Sequence, residues 1–282
     1  MSTETVLADL IFPEGPRWHD GRLWFSDMHA GEVIAMSPDG ARETMLKHDS
    51  FVSGLGWLPD GRLLVVAMDD QKVLRVETDG RVVEHADLSG VATGRCNDMV
   101  VDVQGRAYVG NFGFELNANP PQVKPAKLAL VYPDGRVVVA AEDMIFPNGA
   151  VITPHGRSLI IGETFGRRLT SFDIAEDGTL SDRTVWAVMP EGAVPDGICL
   201  DAEGAVWVAS PTTNDVFRIW EGGAVEQRIP VGQGAFACML GGEDRKTLYI
   251  LTAADSDPDR LAGKRTGRIE QVRVETPGAG LP

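Results

Sequence analysis

The chain has 282 residues, of which 43% are hydrophobic and 24% charged, and its formal net charge is −15 at pH 7. A hydrophobic fraction of this size supports a packed core and argues against disorder. The negative charge opposes binding to nucleic acid or to an anionic membrane, so we expect neither partner. Such a charge favours solubility and by itself indicates no function.

The dominant feature of the sequence is an internal repeat. Each unit contains short apolar runs separated by turns, most of them ending in glycine, which predicts a meander of four strands. Six such units at intervals of roughly 40 to 50 residues match the blades of a β-propeller. We therefore predict an all-β, six-bladed β-propeller with four-stranded blades, occupying residues 1–282 as one domain. The units begin, in chain order, at Glu14, Ser53, Asn97, Asn148, Asp196 and, more weakly, near Ala237.

The two ends of the chain indicate how the ring of blades closes. The last unit supplies strands over residues 247–251 and 267–274, but a tail rich in proline and glycine follows and cannot supply an outer strand. Residues 5–12 precede the first unit and would otherwise form an unpaired strand with an exposed edge. We predict that this segment completes the sixth blade. A long insertion, residues 114–127, interrupts the third unit, and such loops are often functional.

The cysteines and the N-terminal residues indicate the cellular compartment in which we expect the protein. Cys96, Cys199 and Cys238 are odd in number and form no Cys-x-x-Cys motif, which indicates neither a disulfide framework nor a thiolate zinc site. The first residues lack a basic segment followed by an apolar core, and no apolar run is long enough to cross a bilayer. We expect a cytoplasmic protein.

Polar residues occupy most of the unit starts. Stacking equivalent units brings the first residue of each to the strand nearest the central channel. Asn-Gly and Asp-Gly are ordinary turn dipeptides singly, but four oxygen-bearing residues in register are costly to desolvate unless a cation lies between them. We predict one divalent ion: calcium, magnesium or manganese suit an all-oxygen site, and zinc or iron compete through intrinsic affinity. The predicted ligands are Glu14, Asn97, Asn148 and Asp196.

The segments around these residues carry a family resemblance. With Glu-Gly-Pro-Arg-Trp at Glu14, Arg-Cys-Asn-Asp at Arg95, Pro-Asn-Gly at Pro147 and Pro-Asp-Gly at Pro195, the chain resembles the SMP-30/gluconolactonase/regucalcin-like propellers over essentially its whole length. The resemblance implies hydrolysis of sugar lactones with a calcium, zinc, manganese or iron ion. It also implies that three residues bind the metal, that Asn97 lies beside metal or substrate, and that Arg95 binds substrate. The three implied ligands are Glu14, Asn148 and Asp196.

Lactone opening assigns roles to these side chains. The reaction develops a negative charge on the carbonyl oxygen, which a cation would stabilise while acidifying a water. Asp196 is our candidate general base, because a carboxylate offers one oxygen to the metal and another to the proton, and Glu14 is the alternative. Arg95 stays charged at working pH and is therefore expected to be a fixed donor to substrate oxygens.

Further substrate contacts are expected at the mouth of the channel. The turn between the second and third strands of each blade returns to the face where the units begin. We predict that Phe114, together with Phe165, stacks on a sugar ring or fills an apolar pocket, and Glu115 corresponds loosely to a substrate-binding carboxylate that the resembled family carries there. The substrate-binding candidates, besides Arg95 and Asn97, are thus His29, Phe114, Glu115 and Glu163.

Two other functions fit the same sequence. Related propellers use similar oxygen ligands on phosphoryl esters, so a phosphotriesterase-like hydrolase is one alternative. A propeller that binds a metabolite or peptide without catalysis is the other, because a fold by itself determines no activity. A bound metal and its effect on activity would discriminate between them. The sequence leaves the substrate, the metal and the oligomeric state open.

Overall fold

The computed structural model describes residues 2–118 and 120–282. It contains six antiparallel sheets of four strands each. The first strands of successive sheets contact one another around a ring, which closes where the sixth sheet meets the first. This arrangement confirms the predicted six-bladed β-propeller.

The strands follow the unit order of the sequence. Blade one contains β2 (Pro13–His19), β3 (Arg22–Asp27), β4 (Glu32–Met36) and β5 (Arg42–Lys47). Blade two contains β6 (Val52–Trp57), β7 (Leu63–Ala67), β8 (Lys72–Val76) and β9 (Val82–Asp87). Blade three contains β10 (Cys96–Val101), β11 (Ala107–Asn111), β12 (Ala126–Val131) and β13 (Val137–Met144).

The second half continues the pattern. Blade four contains β14 (Pro147–Ile152), β15 (Ser158–Glu163), β16 (Arg168–Ile174) and β17 (Leu180–Val188). Blade five contains β18 (Ile198–Leu200), β19 (Val206–Ser210), β20 (Asp215–Ile219) and β21 (Val225–Pro230). Blade six contains β22 (Gly234–Gly241), β23 (Thr247–Ala253), β24 (Gly267–Arg273) and β1 (Glu4–Leu10). A 3₁₀ turn at Met28–Ala30 and a short α-helix, α1 (Pro258–Leu261), complete the described elements.

The inner strands approach each other closely at the axis. A Cβ added to Gly149 would lie 2.6 Å from the backbone oxygen of Asp196, and one added to Gly197 would lie 2.5 Å from the Cβ of Ala237. Both distances are below van der Waals contact, so only glycine fits at these positions. The glycine after the polar residue is therefore required by packing between blades, and Asn148-Gly149 lies inside β14 rather than in a turn.

The N-terminal strand closes the ring as predicted. β1 pairs antiparallel with β24, with Thr5 opposite Glu270. The chain then crosses to blade one, where the buried Asp27 carboxylate accepts hydrogen bonds from the backbone N–H groups of Ile11 at 3.0 Å and Phe12 at 2.8 Å. Strand pairing and this carboxylate together join the last blade to the first.

The C-terminal tail has a role that the sequence did not reveal. Its backbone bonds to three blades where their inner strands end: Gly278 N–H donates to Arg245 O at 2.8 Å, Ala279 N–H to Leu200 O at 3.0 Å, and Leu281 N–H to Ile152 O at 2.9 Å. The tail residues 277–282 are half-buried. The tail thus covers the end of the channel opposite the unit starts.

Deleting residues 2–12 should destabilise the protein more than deleting residues 277–282. The first deletion removes a whole strand and two buried side chains, Leu10 and Phe12, which are 1% and 4% exposed. Burial of each such side chain contributes about 1.5–3 kcal/mol, so we expect a loss of at least about 3 kcal/mol in unfolding free energy. The second deletion removes one partly buried apolar side chain, Leu281, and leaves the fully buried core side chains in place. Denaturant unfolding of both truncations measures the difference, and equal losses would contradict the closure argument.

The described residues contain neither a disulfide bond nor a helix suited to cross a membrane. Cys96, Cys199 and Cys238 are buried, and none of them forms a disulfide. Among residues 2–118 and 120–282, no helix has the length and apolar character needed to span a bilayer.

Candidate active site at the mouth of the channel

The polar residues at the unit starts converge on one cavity. Glu14 lies on β2, Asn97 on β10 and Asn148 on β14, while Asp196 lies two residues before β18. All four are buried and line a cavity of about 290 Å³ at the end of the channel where the inner strands begin. This volume is at the lower end of the range for sites that hold small molecules. We call these four residues the acceptor cluster.

Hydrogen bonds hold the side chains of the cluster, and one of them joins two of its members. The Asn148 side-chain Nδ2 donates to Asp196 Oδ1 and, at 3.1 Å, to Thr164 Oγ1. Glu14 Oε2 accepts the N–H of Gly15 at 3.0 Å, and Ser53 Oγ donates to Asn97 Oδ1 at 3.4 Å. These contacts leave carboxylate and amide oxygens grouped at the floor of the cavity.

The electrostatics of the two carboxylates are unfavourable without a counterion. Burial, followed by repulsion from Asp196, raises the pKa of Glu14 well above its usual range. Burial also raises the pKa of Asp196 well above its usual range; its hydrogen bond from Asn148 acts in the opposite direction. The buried cation Arg17 relieves this little, because its Nη2 pairs with Asp98 at 2.6 Å.

The cluster fits a hard divalent cation. Such ions prefer carboxylate and amide oxygens, and a positive charge between Glu14 and Asp196 would favour the ionised form of both. In the part of the chain that the structure describes, no three His, Cys, Asp or Glu side chains group as a metal site by themselves. A cation here therefore needs the amide oxygens of Asn148 or Asn97 in addition to the two carboxylates.

Arg95 and His29 lie on the wall of the same cavity. The Arg95 Nε is 2.6 Å from Asp69 Oδ1, and its guanidinium carbon is 5.4 Å from the centre of the Phe51 ring. His29 is stacked on Phe12 at 4.8 Å, and its buried Nδ1 has no hydrogen-bond partner among the described residues. Burial, and then the charge of Arg95, lower the pKa of His29 to about 4, so its imidazole is neutral at neutral pH.

Three predicted substrate contacts lie elsewhere. Glu163 is fully buried, but its carboxylate accepts hydrogen bonds from Arg168 Nε at 2.8 Å and Ile145 N–H at 2.7 Å and does not line the cavity. Phe114 is buried behind Phe165, with ring centres 5.3 Å apart, and Glu115 is exposed outside the lining. Strand direction thus does not bring these three side chains into the cavity lining, and their contact with a substrate stays a prediction.

The insertion has its predicted length but begins and ends two residues earlier in the chain, because β11 ends at Asn111. β12 already begins at Ala126, so the connection covers residues 112–125. Three of its residues, Phe112, Leu116 and Asn117, line the cavity. Asn119, within the predicted insertion, lies outside the described residues.

A mostly apolar ring of residues above the acceptor cluster was not predicted from the sequence. Residues that lie two positions before a unit start line the cavity in five of the six blades. The signal was present in the Phe-Pro-Glu, Phe-Pro-Asn and Val-Pro-Asp segments, whose first residue repeats in register with the acceptor. These five residues are Phe12, Phe51, Arg95, Phe146 and Val194.

The fold and the site together define a class: six-bladed β-propellers that present a buried cluster of carboxylates and amides to a small-molecule cavity. The model of the SMP-30/gluconolactonase/LRE-like region matches residues 12–254, and the chain belongs to this family. The match contains the whole acceptor cluster and confirms the resemblance stated from the sequence.

Individual relatives are distant. Regucalcin of Xenopus laevis is 23% identical over 249 residues, covering 86% of this chain and 83% of its own. The structure of a calcium-binding protein, regucalcin, from Agrobacterium tumefaciens has a TM-score of 0.84 at 21% identity, covering 100% of this chain and 96% of its own. A gluconolactonase structure from Xanthomonas campestris has a TM-score of 0.75 at 24% identity, covering 99% and 89%. These similarities support the same fold over nearly the full chain.

Proposed function

We propose that the protein is a metal-dependent hydrolase of a small lactone. The observation that carries the proposal is the acceptor cluster, in which two buried carboxylates and two amides meet at the floor of a small cavity. Family membership supports lactone hydrolysis in general, and one structural neighbour is a gluconolactonase. The ligands proposed for the ion are Glu14, Asn148 and Asp196, with Asn97 beside them.

The reaction adds water to the ring carbonyl carbon and breaks the ring C–O bond. When bound, a divalent cation supplies Lewis-acid stabilisation of the carbonyl oxygen and lowers the pKa of water. Asp196 takes the proton of the attacking water, and the proton is returned to the alkoxide oxygen that leaves the carbonyl, giving the hydroxy acid. Arg95 holds a substrate oxygen as a fixed donor, and the mostly apolar wall excludes bulk water.

A lactone panel, assayed after chelation and after return of individual metal ions, tests the proposal. The panel contains a sugar lactone, which the resemblance implies, an alkyl lactone and a phosphotriester. We expect turnover of a lactone that a chelator abolishes and that Ca²⁺, Mg²⁺, Mn²⁺, Zn²⁺ or Fe²⁺ restores. Turnover only of the phosphotriester would favour the phosphotriesterase-like reading. A protein that neither binds metal nor hydrolyses any ester would favour a binding function.

Replacing Arg95 by alanine should raise KM while the metal content stays the same. A hydrogen bond to a charged group contributes about 1.5–3 kcal/mol, so we expect KM to rise by about tenfold or more. A guanidinium does not ligate a cation, which is why the ion is retained. Steady-state kinetics and metal analysis of the same sample check both statements.

Arg81→Ala is the matched control for this substitution. Its Nε pairs with Asp79 Oδ2 at 2.7 Å, much as Arg95 pairs with Asp69, but Arg81 is exposed at a turn outside the cavity. The control should keep the wild-type KM. Loss of metal in Arg95→Ala, or an unchanged KM, would remove Arg95 from the substrate site.

A further inference from the structure

The wall of the cavity presents more apolar surface than a binding site for a sugar requires. Above the acceptor cluster, aromatic rings dominate the lining, and Met28, Met68, Leu116 and Val194 add further apolar surface. The phenylalanines that line the cavity are Phe12, Phe51, Phe112, Phe146, Phe165 and Phe236.

The rings form two groups. On the side of blades three and four, Phe112 stacks on Phe146 with centres 4.5 Å apart, and Phe165 lies 5.4 Å from Phe146. On the side of blades six, one and two, Phe12 contacts Phe236 at 4.7 Å and stacks on His29. A ligand that fills the space between the blades therefore meets aromatic carbon on both sides.

The polar side chains of the wall are fewer than the apolar ones, and part of them already have protein partners. Besides the acceptor cluster they are His29, Arg95, Asn117, Thr164, Thr212 and Ser256. The Thr212 hydroxyl donates to Gly192 O at 2.7 Å, the Thr164 hydroxyl accepts from Asn148, and Arg95 pairs with Asp69. Among the residues that line the cavity, the carboxylates are Glu14 and Asp196, and both belong to the acceptor cluster. A polyhydroxylated ring would lose hydration at each hydroxyl without gaining enough partners, which weakens binding.

Because the wall is mostly apolar and the carboxylates lie together in the acceptor cluster, we infer that the substrate is a small lactone carrying an alkyl or aryl substituent rather than the polyol chain of a sugar lactone. The inference rests on the proposed lactonase function. The ester end lies at the acceptor cluster, and the hydrocarbon substituent packs against the phenylalanines. Burial of apolar surface then supplies the affinity, and Arg95 and the neutral His29 orient the polar end.

The test compares two six-membered lactones on the metal-loaded protein, δ-nonalactone and D-glucono-1,5-lactone, with each rate divided by that of spontaneous hydrolysis. We expect kcat/KM for the alkyl lactone to be higher by at least about tenfold, since even single methylene differences in an apolar pocket reach this size. Calorimetric binding of the corresponding unreactive lactams, 6-butylpiperidin-2-one and gluconolactam, gives a readout that does not require turnover. The alkyl lactam should bind more tightly.

A variant localises the effect. Phe165 is 40% exposed at the rim, so Phe165→Gln removes apolar wall with little risk to folding. It should lower kcat/KM and lactam affinity for the alkyl compounds several-fold and leave the sugar compounds nearly unchanged. Val188→Gln, at a 64% exposed site on β17 outside the cavity, is the control and should change neither.

The outcomes separate the two proposals. Tighter binding of the alkyl lactam with no hydrolysis of either lactone keeps the inference about the cavity and overturns the proposed function. Faster hydrolysis of gluconolactone together with tighter binding of gluconolactam keeps the function and overturns the inference. Equal binding of both lactams, or an unchanged preference in Phe165→Gln, also overturns the inference.

Discussion

Asp196→Asn should lower turnover of the preferred lactone by at least about a hundredfold, because general acid–base catalysis typically contributes 10² to 10⁴. An amide still offers one oxygen to a cation but is a poor proton acceptor. The substitution therefore removes the proposed base more completely than it removes the ligand, and metal content should fall less than turnover. Metal analysis beside single-substrate kinetics, on the same preparation, measures both.

Asp134→Asn provides the matched control for this charge removal. Asp134 is exposed in a turn outside the cavity, where asparagine is also well accommodated. The control should keep wild-type turnover and metal content. If Asp196→Asn holds its metal and keeps near-normal turnover, then Asp196 is not the base, and Glu14 becomes the candidate because it is the other carboxylate in the cluster.

Addition of the cognate divalent ion should raise the melting temperature at neutral pH by about 5 °C or more. At a hundredfold excess over Kd, ligand binding stabilises a folded protein by about 2.7 kcal/mol, and one kcal/mol shifts the melting temperature of a protein somewhat smaller than this one by about 2–4 °C. Thermal unfolding with chelator and with each metal in turn identifies the ion by the size of its shift.

The melting temperature of the chelated protein should also depend on pH, and the direction of the change follows from the pKa values of two carboxyl groups. The folded-state pKa values of Glu14 and Asp196 are raised, so the chelated protein holds protons that the unfolded chain releases. The contribution of these two groups to the free energy of unfolding is therefore fully present below the carboxyl pKa of the unfolded chain. It is lost as the pH rises through their pKa in the folded protein. With chelator, the melting temperature should fall as the pH rises above about 4, the ordinary carboxyl range. A saturating cation should reduce this fall, because it favours the ionised carboxylates.

The substitution Glu14→Gln distinguishes the pH dependence caused by the acceptor cluster from that caused by carboxylates on the surface. The amide has a similar shape and no titration, so the chelated variant should show a shallower fall with pH and a smaller metal-induced shift. A metal response equal to that of the wild type would place the cation away from the acceptor cluster. A pH profile unchanged by the substitution would show that other groups determine the fall.

The sequence predicted the architecture because the repeat is visible residue by residue. Unit starts, glycine turns and the unpaired segment before Glu14 sufficed to place six blades and the strand β1 that closes them. The convergence of Glu14, Asn97, Asn148 and Asp196 followed from the same periodicity, since equivalent positions of a closed ring face one channel. Their chemical roles stay predictions.

Loop residues were predicted less well. Strand direction places Glu163 near the mouth, but which way its carboxylate turns depends on Arg168 and Arg183, whose approach across neighbouring strands is not periodic. Phe114 lies behind the wall for a similar reason, because the packing of the 112–125 connection decides which of its residues reaches the cavity.

The sequence by itself thus determined the blade number, the closing strand and the position of the acceptor cluster, all of which repeat with a fixed period. Only the tertiary structure decided the surroundings of that cluster. These are the mostly apolar wall, the guanidinium of Arg95 within it, the neutral His29 and the tail over the far end of the channel. The physical reason is that burial and hydrogen-bond partners depend on contacts between residues far apart in the chain. Local patterns predict which strands form, but not which side chains meet.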